Sequence, residues 1–121
     1  MNNPLTNSNG TSAFIHYKIL PENKMKELGF DDLNGTLDYW YRMWKIPGYK
    51  DLTFEVSIPK PGSSKELYIN TIDENFLQPF DWQAGIGTKK AIAACKNVAE
   101  TVMAYLQKEG LLSGYEYGDY I

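Results

Sequence analysis

The spacing of hydrophobic residues changes from a two-residue to a helical period along the chain. Over residues 52–58 every second residue is apolar, and Thr53, Glu55 and Ser57 alternate with them. This alternation predicts a β-strand with one buried and one solvated face. Residues 37–46 and 66–73 also have strand character, and short turns separate the three segments. We therefore expect an antiparallel β-meander.

Helical spacing follows in the last third of the chain. Between Lys89 and Glu109 apolar residues recur at three- and four-residue intervals, with Thr88 in position to cap the start and Gly110 in position to end the helix. Pro21 and Gly29 bound a shorter helix over 21–28. The predicted fold class is α+β: a three- or four-stranded antiparallel β-meander with the long C-terminal helix packed on one face and a short N-terminal helix.

The other segments are assigned from their composition. Residues 1–12 are rich in Asn and offer little to bury, which predicts a disordered leader before a single domain over 13–121. Residues 13–19 favour a short edge strand. Residues 74–87 form a long connection, and loops of this length are often functional. The tail 111–121 is expected to pack back as an extended segment.

Length and charge narrow the functional classes. The 121 residues suit one domain, and the net charge is −3, carried entirely by residues 61–121. The chain therefore lacks the excess of Lys and Arg that is typical of nucleic-acid-binding proteins. The chain has one cysteine, no signal-peptide pattern and no apolar run of membrane-spanning length. A cytoplasmic protein with no membrane contact, no metal and no cofactor is the expectation.

Few residues suggest catalysis. His16 is predicted to be a half-exposed strand histidine, and Cys95 a buried residue on the apolar stripe of the long helix. Asp73, Glu74 and Asp81 are interpreted as turn and cap carboxylates, with a carboxylate site as the alternative. Whether the protein is an enzyme stays open, and the absence of a catalytic arrangement leans against it.

The most suggestive stretch is the aromatic strand 39–45. One alternation carries Tyr39, Tyr41 and Met43, and the other carries Trp40, Arg42 and Trp44. One face must pack on the helix, and the other then exposes aromatic side chains that suit a protein interface. Alternatively, the N-terminal segment and the short helix cover that second face and form a third layer. The pattern does not decide which face is buried.

The loop 76–83 combines Phe76, Phe80 and Trp82 with amide and carboxylate side chains. These aromatic residues either cover the open end of the hydrophobic core or bind a partner molecule. The first interpretation is favoured.

Two segments together carry a resemblance to other proteins. The chain resembles small proteins encoded in prophages and mobile elements of Firmicutes, and the segments that carry the resemblance are QPFDWQ (78–83) and YLQKEGLLSGYEYGDYI (105–121). The resemblance would cover roughly residues 23–121. It implies a bacterial cytoplasm and an accessory protein that binds something of the host. It carries over no catalytic residue and no activity.

The leading hypothesis is a non-catalytic accessory protein that binds a host protein. Its candidate partner-binding residues are Tyr39, Tyr41, Trp44, Phe80, Asp81 and Trp82. The alternative is a small-ligand binder or small enzyme with a pocket near the loop 74–87, lined by Trp40, Trp44, Asp73 and Asp81. A third hypothesis is single-stranded nucleic-acid binding by the aromatic strand, which the missing basic residues do not favour. A homodimer is compatible with each, since an open meander leaves edge strands.

Overall fold

The computed structural model describes residues 15–114 and has a mixed α+β architecture. Its elements, in chain order, are β1 (His16–Tyr17), α1 (Glu22–Glu27), β2 (Tyr39–Ile46), β3 (Tyr49–Pro59), β4 (Tyr68–Asp73), β5 (Gln78–Pro79), a 3-10 turn (Trp82–Ala84), α2 (Lys89–Lys108) and β6 (Leu112–Ser113). The predicted leader over 1–12 and the last seven residues of the tail lie outside the described part.

Four strands form the predicted antiparallel meander, in the order β2-β3-β4-β5. The register between β2 and β3 pairs Trp40 with Ile58 and Trp44 with Phe54. A second, two-stranded sheet joins β1 to β6. The expectation that the start of the tail runs back as an extended segment is confirmed at Leu112 and Ser113.

Within residues 15–114, one hydrophobic cluster lies between the sheet and the helices. Phe54, Val56 and Ile69 of the sheet and Cys95 and Met103 of α2 are completely buried in it. The helix α1 contributes Met25 to the same cluster, and its Lys24 forms an ion pair of 3.1 Å with Glu109 just after α2. Both helices therefore bury their apolar residues on the same side of the sheet, and they do not form the third layer that the sequence left open.

The long helix begins and ends where the sequence predicts. The Thr88 hydroxyl accepts a hydrogen bond of 3.1 Å from the Ala91 backbone N–H. At the other end Gly110 has φ +84° and the Leu111 N–H donates to the Leu106 carbonyl. This is a Schellman motif, whose positive φ favours glycine. The buried side chains of Leu106 and Leu111 supply its hydrophobic contact.

Replacing the capping residue gives a first prediction. Thr88→Ala removes the acceptor for the Ala91 N–H, so we expect it to lower the free energy of unfolding by about 1 kcal/mol. The matched control is Thr101→Ala, an exposed position inside the same helix. Alanine has the higher helix propensity, so the control should not destabilise. Urea unfolding followed by circular dichroism measures both, and equal midpoints for the two variants would contradict a capping role.

The connection after β4 is more regular than the sequence suggests. It returns to the sheet as β5, where the Phe80 N–H donates to the Thr71 carbonyl at 2.8 Å. The 3-10 turn follows and contacts α2. The segment predicted as a long loop thus extends the meander by a strand and closes one end of the core.

Candidate functional site

The face of the sheet that points away from the helices, here called the outer face, is set by the strand register. Three cross-strand rows on β2, β3 and β4 make up its centre: Tyr41–Ser57–Tyr68, Met43–Glu55–Asn70 and Lys45–Thr53–Ile72. Among the described residues, none of these nine side chains belongs to the hydrophobic cluster. The outer face is therefore a mixed aromatic and polar surface beside the packed inner face.

A groove opens on the outer face at Ser57. This small residue of the central strand is paired with Tyr41 on one side and with Tyr68 on the other. The open groove has a volume of about 460 Å³. It is lined by Tyr39, Glu55, Ser57, Ser64, Lys65, Glu66, Leu67 and Tyr68.

The groove holds a carboxylate in an unfavourable setting. The Ser57 hydroxyl donates to Glu55 Oε2 at 3.0 Å. Burial, together with the nearby negative charge of Glu74, nevertheless raises the pKa of Glu55. Burial likewise raises the pKa of the Tyr68 phenol. The ionised form of Glu55 would gain from a positive charge placed in the groove.

Two of the predicted partner-binding residues stand beside this groove. The rings of Tyr39 and Tyr41 are half-buried, with centroids 6.3 Å apart. The Lys65 ammonium lies 5.7 Å from the centroid of the Tyr39 ring, at the groove. Met43 follows on the same face and is exposed. The outer face therefore presents a contiguous set of side chains of the kind found in protein interfaces.

Trp44 lies on the opposite, inner face. Its ring contacts Phe30 and Phe54, with centroids 6.3 Å away in each case. The Arg42 guanidinium lies 4.5 Å from the Trp44 ring centroid and donates to the Leu28 carbonyl at 2.6 Å. Trp44 thus helps to fix the segment after α1 against the sheet, and the structure does not bring it together with Tyr39 and Tyr41.

The loop residues among the candidates divide in two. Trp82 is 2 % exposed, its Nε1 donates to Thr71 Oγ1 at 2.9 Å, and the half-buried Phe80 packs beside the core. These two side chains close the core, as the favoured interpretation expects. Asp81, between them, is exposed.

The tip of the β4–β5 hairpin carries the exposed apolar part of the same segment. Phe76 is 71 % exposed and Leu77 is 82 % exposed. Leu77 also has φ +52°, an uncommon conformation for a residue other than glycine. These two adjacent apolar side chains bury little of their surface within the chain, so they contribute little to folding and are available to contact a partner.

The remaining candidates from the sequence have local roles. His16 is exposed on β1, and the buried thiol of Cys95 has its pKa raised by burial to about 11. Asp73 accepts a hydrogen bond from the Asn75 N–H, and Glu74 accepts one from the Thr53 hydroxyl at 2.7 Å. The turn role expected for Asp73 is therefore seen.

The alternative hypothesis places a pocket near the loop 74–87. A further groove lies on α2, between Ala93 and Ala104. Neither it nor the groove at Ser57 is lined by any of the residues proposed for that pocket, Trp40, Trp44, Asp73 or Asp81. Within residues 15–114, no group of His, Cys, Asp or Glu side chains has the arrangement of a metal site, and no helix has the length and apolarity to cross a membrane.

Sequence reasoning missed Glu55, Ser57 and Tyr68 as site residues. The signal was present, because they occupy the polar alternation of β3 and a matching position of β4. What was lacking was the register, which brings Ser57 between two tyrosines. No protein-family model, curated protein or solved structure matches the chain, so these comparisons assign no role to the site residues.

Proposed function

We propose that the protein is a non-catalytic accessory protein that binds a protein partner through its outer face. One observation carries the proposal: Tyr39, Tyr41 and Met43 lie together on that face beside a groove with a carboxylate. Tyrosine and methionine are enriched in protein interfaces, and tyrosine supplies contact area at low entropic cost. The prophage setting and the bacterial cytoplasm implied by the sequence resemblance belong to this proposal.

The hairpin tip supplies a second anchor. Phe76 and Leu77 follow β4 at the end opposite Tyr68, while the groove lies near Tyr68. The six residues of β4 span about 20 Å at the usual rise per residue. A partner that contacts both the groove and the tip would therefore cover the length of the outer face, as interfaces of ordinary size do.

The proposal is tested by isolating the partner and measuring how substitutions on the outer face change its affinity. Host cytoplasm is passed over the immobilised protein, the retained protein is identified and purified, and its affinity is measured by calorimetry. Tyr41→Ser combined with Met43→Ser should weaken binding at least about tenfold, since truncating interface anchors commonly costs more than 1 kcal/mol each. Hydrogen exchange on the complex should protect β2 and the groove.

The matched control removes the same kind of side chain elsewhere. Tyr17→Ser combined with Ile19→Ser truncates two exposed apolar residues outside the outer face and should leave the affinity unchanged. Equal weakening by both double variants, or protection confined to α2, would overturn the proposal. Sedimentation shows whether the occupant is a second copy of this chain, which would replace the host protein as the partner.

A further inference from the structure

One carboxylate that lines the groove at Ser57, that of Glu55, has no ionic partner among the described residues. Its hydrogen bond from Ser57 uses Oε2 and comes from a neutral donor. A cation bound in the groove would supply a charged partner for Glu55.

The walls of the groove also suit a cation. Tyr39 and Tyr68 line it, and aromatic faces attract cations at distances up to about 6 Å from the ring centroid. Lys65 already lies 5.7 Å from the Tyr39 ring centroid in this groove. The chain also uses the contact elsewhere, with Arg42 over Trp44 at 4.5 Å and Lys60 over Trp40 at 4.8 Å. A planar guanidinium can stack on a tyrosine and donate to a carboxylate at the same time, which an ammonium does less well.

The position of Glu55 is costly for folding alone. Glutamate is depleted in strands, and this one lies on the central strand between Met43 and Asn70. Because its carboxylate is partly desolvated, water competes less for a cation there than at an exposed surface. The same partial burial that disfavours the free carboxylate therefore strengthens a charge-assisted hydrogen bond to a ligand.

We propose that the groove at Ser57 receives an arginine side chain of the protein partner, held by Glu55 and stacked against the groove tyrosines. The inference rests on the proposed function and specifies the chemistry that the partner must present. A free cationic small molecule shares the chemistry, and the experiment separates it from the partner.

The first experiment titrates the protein with N-acetyl-arginine amide and follows backbone amide signals by NMR. We expect saturable shifts at Glu55, Ser57 and Tyr68, whereas the neutral isostere N-acetyl-citrulline amide should give none at the same concentrations. Glu55→Gln should weaken the affinity for N-acetyl-arginine amide at least tenfold. The matched control is Glu27→Gln, an exposed carboxylate on α1, which should bind like the wild type.

Folding of the variant is checked separately. Since the pKa of Glu55 is raised in the folded state, its contribution to stability is present at low pH and is lost as the pH rises through that raised value. At pH 7 Glu55→Gln should therefore be no less stable than the wild type. If Glu55→Gln is as stable as the wild type but no longer binds the probe, Glu55 has a binding role and not a structural one.

The second experiment uses the captured partner, and its failure is distinct from failure of the proposed function. Glu55→Gln should weaken the complex at least tenfold, and one arginine of the partner should lose its effect on affinity in the Glu55→Gln background. If Tyr41→Ser/Met43→Ser abolishes the complex while Glu55→Gln does not change it, the arginine inference is wrong and the proposed function stands. If the probe binds but the partner's arginines are all dispensable, a free cation is the ligand and the inference is overturned.

Discussion

Trp82→Ala is expected to lower the free energy of unfolding by about 3–5 kcal/mol, the range found for large aromatic residues removed from a core. The side chain is 2 % exposed and belongs to the hydrophobic cluster, although it lies in the connection between β5 and α2. Its removal leaves a cavity beneath the 3-10 turn. It also takes away the N–H that donates to the completely buried Thr71 hydroxyl. Urea unfolding followed by tryptophan-independent far-ultraviolet circular dichroism measures the loss.

Two further variants separate packing from hydrogen bonding. Trp82→Phe keeps most of the apolar contact but deprives Thr71 of its donor, which should cost about 1–3 kcal/mol for a buried polar group left unsatisfied. Adding Thr71→Val should recover part of that loss, because both polar partners are then gone. The control is Phe76→Ala in the same connection. Its side chain is 71 % exposed, so the change should stay within about 0.5 kcal/mol. Comparable losses for Trp82→Ala and Phe76→Ala would mean that the connection does not close the core.

The contrast between Trp82 and Phe76 shows where sequence reasoning stops. The regular elements could be predicted because their patterns repeat: four alternating apolar residues on β3, and a cap, an apolar stripe and a terminal glycine on α2. The connection 74–87 has no such period. Only the return of the chain as β5 determines that Trp82 points into the core while Phe76 and Leu77 remain at the tip.

The aromatic strand β2 could be located from the sequence, but its orientation could not. Both alternations carry large side chains, so periodicity fits either face equally well. The structure places the tryptophans of β2 on the inner face and its tyrosines, which are half-buried, on the outer face. The candidate set mixed Tyr39 and Tyr41 with Trp44, and one step along a strand reverses the face. This is why only part of the set lies on one surface.

The outer face departs from what folding alone would select. Glu55 lies partly desolvated on the central strand, and Phe76 and Leu77 are exposed beyond β4. Local choices that work against stability concentrate at functional sites in natural proteins. Glu55 lies on the outer face of β3 and the tip lies beyond the end of β4, so the proposed partner would have to extend from one to the other to contact both.

A partly buried ion pair fixes the loop before β2. Asp32 is 3 % exposed, and its Oδ2 accepts from Lys60 Nζ at 2.7 Å, while its Oδ1 accepts from the Gly35 N–H at 3.1 Å. The same Lys60 ammonium lies over the Trp40 ring. One carboxylate therefore connects the turn 31–37 to the chain just after β3 and to the aromatic strand. Removing one partner of a buried pair leaves the other charge uncompensated, which is more harmful than losing the pair as a whole.

Asp32→Asn is expected to destabilise the protein at neutral pH and to lose that effect in acid. The hydrogen bond from Lys60 is the main reason that the pKa of Asp32 is lowered from its ordinary value of 3.8, and the Gly35 N–H adds to it. A lowered pKa means that the stabilisation is complete above about pH 4 and disappears as the pH falls through the folded-state value. Asparagine keeps an acceptor for Gly35 but turns an N–H₂ donor toward an ammonium. The thermal midpoint should fall at pH 7, and the gap between variant and wild type should close below about pH 4.

Asp31→Asn is the matched control, one residue away. Asp31 is exposed, and its Oδ1 accepts from the Leu33 N–H, an interaction that asparagine can keep. It should therefore leave the thermal midpoint close to that of the wild type at both pH values. Glu55 contributes a pH dependence of opposite sign, but it is present in all three proteins and cancels in the differences. Adding Lys60→Met to Asp32→Asn should cost less than the sum of the two single changes, since each change alone leaves a partly buried partner unpaired. A gap between Asp32→Asn and the wild type that persists unchanged into acid would show that Asp32 acts through turn geometry and not through its charge.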